Sequence, residues 1–512
     1  MKYISCLTTL SLFYAITALH AQVTLQPWME VFGSTNGEQL GKYVTGIVPS
    51  ANLPFKAAVS KVGSTGIYQL QDSTQTTPQR IFLGENLLTG DLNNDGFKDV
   101  VVGKSVNGYD TVFIYWGTTT GIDTLNPLRI PGANQYDGLK PGCIGDLNND
   151  GEMDLVLRAP NFNAARGRVY IFLNPVATPT PAAVVTGDSM IYQLGIATTI
   201  GDVNNDGRED LILRGNRQLG SSSTFFDYVD IYWGRMDDTL NVTNRLRLKT
   251  KYINSAGLAA FDVNGDGKDD LLWTTQDSLS DWINVHFGRT AFDTIPDLRL
   301  QNPGVGTFGF AITSGGDMNC DGYKDVVVGC PRASITSGIV LVYGGGPAID
   351  PFVDAARSMG SESGFGASVA ALGDLNGDGL ADIIAGAPND PFFNDRGYWG
   401  VFKGDSTIRV TAIKEEPLRP DLFALEQAYP NPFNPVTTID YVAKTSAHIA
   451  LTVFDGLGRE ITKLVDDDRS PGIYEAHFDG RFHASGVYYY RMTATTEHGT
   501  IFTDTKRMIL VK

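Results

Sequence analysis

Apolar positions in this chain come in short runs punctuated by Gly, Pro, Asn and Asp. Six of these runs are unbroken triplets that directly follow an aspartate: 100–102, 155–157, 211–213, 271–273, 326–328 and 383–385. Such runs predict strands buried on both faces. Ahead of them lie small-residue strands, as at 309–316 and 366–373. Behind them come aromatic strands ending near glycine, at 112–117, 229–234 and 339–344, and then a fourth strand in most units, at 128–130, 245–248 and 298–300. The expectation is an all-β chain whose four-stranded unit repeats.

The turn before each triplet is itself the repeat. It reads Asp91-Leu-Asn93-Asn-Asp95-Gly96-Phe97-Lys-Asp99 in its first copy, and later copies open at Asp146, Asp202, Asp262, Asp317 and Asp374. Successive openings are 55, 56, 60, 55 and 57 residues apart, a period that suits one four-stranded propeller blade. A seventh unit precedes the first loop, since 39–45, 56–60 and 66–70 imitate three strands without the acidic turn. The last unit runs out after its third strand, near 401–404. Residues 28–32 are expected to supply the missing fourth strand, because an open ring would expose two unpaired edges. The fold expected over 22–407 is therefore a seven-bladed β-propeller.

Each loop offers side-chain oxygens at positions one, three, five and nine around a glycine at six, an arrangement that gathers hard ligands about one point. With position seven included, the candidate metal set is Asp91, Asn93, Asp95, Phe97 and Asp99 in the first loop. It continues with Asp146, Asn148, Asp150, Glu152 and Asp154, then Asp202, Asn204, Asp206, Arg208 and Asp210. The remaining three sets are Asp262, Asn264, Asp266, Lys268 and Asp270; Asp317, Asn319, Asp321, Tyr323 and Asp325; and Asp374, Asn376, Asp378, Leu380 and Asp382. Calcium, about six ions, is favoured over magnesium because an oxygen-rich flexible cage tolerates six to eight ligands. An EF-hand would need a bidentate Glu at position twelve; here that position holds Val102, Leu157, Leu213, Trp273, Val328 and Ala385.

The formal charge of -17 argues against a nucleic-acid partner and an anionic membrane surface, and 21 of the 57 acidic residues lie in the six loops. Residues 1–21 read as a signal peptide, and no later segment offers enough apolar residues for a membrane span. Cys143, Cys320 and Cys330 would remain after its removal, an odd number without framework spacing. Cys320 and Cys330 are read either as a pair or as two buried free thiols.

Residues 308–331 and 365–388, with Phe-Gly before the loop and Gly-Cys-Pro or Gly-Ala-Pro after it, resemble the FG-GAP repeat of integrin α-subunits. In the earlier units the resemblance rests on loop and period alone. It implies a seven-bladed ring with calcium loops on one rim and partner contacts on the opposite rim or between blades.

After a connector at 408–428 the pattern changes. Tyr429-Pro-Asn-Pro-Phe-Asn-Pro435 has too many prolines to pair within a sheet, and short alternating strands follow at 439–442, 449–454, 472–476, 486–491 and 507–511. A small Ig-like β-sandwich over 429–512 is expected. The tail is similar to the type A C-terminal sorting domains of the Bacteroidetes type IX (Por) secretion system, which implies passage through the outer membrane and removal of the tail.

No nucleophile, zinc or phosphate-loop motif appears, and the propeller's only histidine, His286, is expected to be packed or exposed rather than catalytic. The function expected is a secreted or surface binding and adhesion module for an extracellular protein or glycan. A calcium-dependent polysaccharide lyase or glycosidase is the alternative, since propellers host such chemistry.

Overall fold

The computed structural model describes residues 23–33, 39–47, 56–61, 64–69, 80–83, 85–106, 109–135, 137–187, 192–218, 225–234, 245–251, 256–276, 281–332, 338–359, 364–388, 396–408, 423–425, 427–428, 430–443, 446–456, 458–469, 472–496 and 499–511. The leader read at 1–21 and most of the connector lie outside them. The chain divides into two compact units, Met1–Thr411 and Ala412–Lys512. All of the regular secondary structure among the described residues is strand, save one helical turn, Phe162–Ala165.

Among the described residues the first unit holds seven antiparallel sheets of four strands, the sixth extended by a short parallel strand, and a two-stranded ribbon, Gly117–Thr118 with Gly121–Ile122. The four antiparallel strands run in sequence order in all but the seventh, and the first strands are Val44–Ile47, Glu85–Gly90, Lys140–Gly145, Tyr192–Gly201, Leu258–Phe261, Ala311–Gly316 and Ser368–Gly373. Each first strand packs against the first strand of the next sheet, and that of the seventh packs against that of the first, so the succession closes on itself. The second strands, Asp154–Ala159, Asp270–Gln276, Asp325–Cys330 and Asp382–Ala387 among them, are almost wholly buried because a sheet lies on each face. The six apolar triplets sit there, and position twelve of every loop is a buried strand residue.

The seventh sheet takes its fourth strand from the other end of the unit. Pro27–Phe32 pairs antiparallel with Tyr398–Phe402, Met29 opposite Val401 and Phe32 opposite Tyr398. The Tyr398 hydroxyl donates to Glu30 at 2.9 Å, and the Ser368 hydroxyl to the Gly41 carbonyl at 3.0 Å, so side chains tie both ends of the unit together. A further short strand, Val23–Thr24, lies parallel to Ala355–Ala356 at the edge of the sixth sheet.

The joints between sheets are built in two ways. Gly329 and Gly386, in the second strands of the sixth and seventh sheets, lie so close to the next backbone that a Cβ would stand 2.0 Å from the carbonyl oxygens of Gly366 and Gly41. Two earlier sheets carry arginine at the corresponding position, four residues after the loop's last Asp. Arg158 Nη1 donates to the carbonyl of Ile196 at 2.6 Å. Arg214 is fully buried and donates to the Gly257 carbonyl at 2.9 Å, Thr274 Oγ1 at 2.7 Å and Asp227 at 2.8 Å.

The second unit has a three-stranded sheet, Phe423–Leu425 with Val436–Ala443 and Gly472–Asp479, and a four-stranded one in the order Glu460–Arg469, Ala447–Phe454, Gly486–Thr496, Gly499–Leu510. Ile449, Leu451, Tyr490, Met492 and Met508 fill its core. In the proline-rich run Phe433 does pair, in a parallel bridge with Leu510. It is not a proline, so its N–H reaches the Ile509 carbonyl at 2.9 Å and its carbonyl accepts from Val511 at 3.0 Å.

Candidate functional site

All six acidic loops connect the first strand of a sheet to the second, in sheets two to seven. Strands flank them on both sides. Within each loop the first Asp holds the turn: its Oδ2 accepts the N–H of the position-six glycine at 2.8–2.9 Å in every copy. The position-five carboxylate accepts the N–H of position seven at 2.8–3.1 Å, again in every copy. The Asn at three accepts the N–H of position five in five of the six loops. The sequence folds this way because positions four and six both need positive φ. Position six is always glycine, at φ 82–90°, and position four is Asn94, Asn149, Asn205, Gly265, Cys320 or Gly377.

Position four also settles one cysteine. Cys320 stands there at φ 64°, exposed on the loop, while Cys330 is buried in the second strand, and both are free thiols. They do not pair, and of the two free thiols only Cys330 is buried.

Position nine behaves differently from the other candidate ligands. Asp99, Asp154, Asp210, Asp270, Asp325 and Asp382 are buried, and both oxygens of each are engaged by backbone. One oxygen accepts the N–H of position two, at 2.8–3.1 Å. The other accepts the N–H of the residue leaving the third strand: Gly117, Asn174, Gly234, Gly288, Gly345 or Gly404, at 2.8–3.1 Å. This carboxylate thus clamps the acidic loop to the neighbouring turn on the same rim. Burial pushes these carboxyls up, against the pull of the two N–H donors: Asp99 and Asp382 to about 6, the other four to about 7. The carboxylate at position five adds to the rise in every loop.

Among the described residues no three His, Cys, Asp or Glu side chains converge closely enough to form a metal centre by themselves. The donor set still suits a hard divalent cation. Asp oxygens at one and five and an Asn oxygen at three share one exposed turn, all of them oxygens of the class calcium takes, and positions seven and nine adjoin them. Each carboxylate oxygen that accepts one N–H keeps a second lone pair.

Two side chains at position eight escape notice in the sequence because they are simply two more acids in an acidic run. Asp269 Oδ2 accepts the N–H of Asp202, the first residue of the preceding sheet's loop, at 3.2 Å, and Glu209 likewise accepts the N–H of Asp146. His286 is buried, receives the Trp273 indole N–H at 3.2 Å, and is pushed down to about 4 by burial. It stays neutral and walled in.

Residues 91–157, 146–213 and 202–273 match the model of the FG-GAP-like repeat, and 365–398 that of the FG-GAP repeat. Those stretches are similar to FG-GAP repeats. It is similar to integrin alpha chains: 26% identical over 224 residues to Integrin alpha pat-2 of Caenorhabditis elegans, covering 38% of this chain and 18% of that one. Over 235 residues it is 28% identical to Integrin alpha-6 of Homo sapiens, 40% and 20% covered, and over 219 residues 43% identical to Integrin alpha-7 of Rattus norvegicus, 37% and 19% covered. The chain thus spans about a fifth of the length of the curated relatives it matches. No helix among the described residues is long and apolar enough to cross a membrane.

Proposed function

We propose that this chain is an exported, calcium-binding, seven-bladed β-propeller that acts as a binding and adhesion module for an extracellular protein or glycan. The observation that carries this reading is the recurrence of one oxygen-lined turn at the same hairpin of six successive sheets, in a chain similar to integrin alpha subunits. Each blade is one four-stranded sheet, and the Ig-like tail is a sorting domain for type IX secretion, removed once the protein has crossed the outer membrane. In each loop the oxygens at positions one, three and five would hold the ion, with position seven and the remaining lone pairs of position nine completing the set. A bound divalent ion supplies the positive charge that offsets the crowded carboxylates.

The melting temperature of the chain, followed with calcium and with chelator between pH 5 and pH 8, tests the cation. The raised position-nine carboxyls favour the protonated fold, so without an ion their stabilising contribution is present below pH 4 and is lost as pH rises toward 7. In chelator the melting temperature therefore falls as pH rises, and calcium raises it most at pH 8. Curves that superpose with and without calcium would remove the ion from the account. Adhesion to immobilised matrix proteins and glycans, with calcium or chelator, tests the binding role. Mass spectrometry of secreted protein ending at Lys512 counts against the sorting tail.

A further inference from the structure

The acidic loops are wired to one another. Each position-nine Asp holds the position-two N–H of its own loop, and in three loops the carbonyl of that same position-two residue accepts an N–H from the next sheet. Arg289 N–H donates to the Val203 carbonyl at 3.1 Å, Gly346 to Val263 at 2.7 Å, and Asp405 to Met318 at 2.8 Å. Those donors follow directly on Gly288, Gly345 and Gly404, the residues clamped by Asp270, Asp325 and Asp382. The result is a continuous relay. It runs from Asp210 through Val203, the Gly288–Arg289 peptide, Asp270, Val263, the Gly345–Gly346 peptide, Asp325, Met318 and the Gly404–Asp405 peptide to Asp382. Further bonds reinforce two of these junctions: Asp269 on the Asp202 N–H at 3.2 Å, and the Ala381 N–H on the Asp317 carbonyl at 2.8 Å.

The loops opening at Asp91 and Asp146 meet in another way: the Asn94 side-chain amide donates to the Gly151 carbonyl at 3.2 Å, and the backbone link is missing. In the third sheet the corresponding pair is Asn174–Pro175, and Asn174 is clamped by Asp154 at 3.0 Å as elsewhere. Pro175 has no N–H to donate to position two of the loop at Asp91.

We propose that the loops opening at Asp202, Asp262, Asp317 and Asp374 take up divalent cations as one coupled set, while the loop opening at Asp91, which lacks this backbone link, fills outside that set, and that Asp269 and the Arg289 N–H are positioning groups of that set. This rests on the cation reading above. The reason is entropic: position two lies between two of the loop's ligands, so an ion that orders one loop fixes that peptide. The neighbouring turn, and through it the next loop's position-nine carboxylate, are then already ordered when the next ion arrives.

Calorimetric calcium titration of the full chain, beside Arg289→Pro and Arg289→Ala, tests it. Arg289→Ala keeps the N–H and serves as the control for the side chain's own contacts with Asp293 and Asp297. The wild-type chain should fill several loops in a steep phase with a Hill coefficient above 1. Arg289→Pro should split that phase and weaken part of it roughly tenfold, with Arg289→Ala following the wild type. Asp269→Ala should weaken it too, and Asp269→Asn, which keeps an acceptor, should restore it. Independent equivalent sites in the wild type, or a proline variant that titrates like it, overturn the coupling. Should Arg289→Pro fail to fold, the Asp269→Ala and Asp269→Asn pair carries the test; an unchanged steep phase in Asp269→Ala then counts against the relay. If calcium produces no heat and no melting shift in the wild type, the cation reading itself has failed.

Discussion

The sixth and seventh sheets meet their neighbours through glycine laid on backbone, whereas the third and fourth meet theirs through arginine. The position is the same in both, four residues beyond the loop's last Asp, and so is the task of sealing the wedge between two sheets. Glycine seals it by letting backbones touch: Gly386 has room for no Cβ at all. Arginine seals it by filling a wider wedge with a guanidinium whose donors reach the carbonyls of the next sheet. The Phe-Gly and Gly-Ala-Pro flanks of the repeat belong to the first solution. Their loss from the earlier units therefore marks a different joint and not a decayed one.

The sharpest way to break this contrast is at Arg214, which is wholly buried and paired with an equally buried Asp227. Arg214→Met removes the buried cation from that carboxylate and should cost about 3–5 kcal/mol in denaturant unfolding, whereas Arg158→Met, which takes its donors from neutral carbonyls, should cost clearly less. Equal losses would mean the charge pair is not what distinguishes them. Gly386→Ala should cost about 2–4 kcal/mol, since a methyl group must displace the Gly41 backbone; a silent substitution would show that the glycine joint has slack.

The second sheet offers the intermediate case. Gly103 occupies the joint position, but its Cβ would find nothing nearer than 3.4 Å, and a cleft of about 150 Å³ bordered by Asp110, Leu139 and Lys140 lies beside it. Asp110 faces Ser105 across the strands as Asp227 faces Asn216. Gly103→Arg should therefore fold with a change within about 1 kcal/mol, while Gly329→Arg should not yield folded protein. Matching outcomes at both sites would erase the distinction. The smallest effect expected is at Cys320, whose positive φ suits glycine: Cys320→Gly should stabilise by about 0.5–1 kcal/mol, read as a shift in urea midpoint.

The loops were legible because their chemistry is local. Glycine at six and Asn or Gly at four are demands of the turn itself, and the apolar triplets mark the buried second strands without help from distant residues. The donation of Pro27–Phe32 to the last sheet was legible too, from a strand without a partner at one end and a unit without a strand at the other. Two strands of the tail region gave no such sign. Glu460–Arg469 is an edge strand, largely exposed and carrying Asp466, Asp467 and Asp468, so no apolar alternation reveals it. Phe423–Leu425 is three residues long and borrows its stability from Val436–Ala443.

What the sequence determined by itself is whatever one turn or one strand must satisfy alone: the period, the loop, the buried triplets and the residue types that suit a hard cation. Which oxygen meets which N–H was decided by the assembled sheets. Position nine reads as a ligand like the others, yet the fold buries it and gives both its oxygens to backbone, because the turn that supplies one of those N–H groups lies a full hairpin away. The same holds for the arginine joints and the relay between loops: their partners sit in neighbouring sheets some forty or more residues distant, and only packing brings them together.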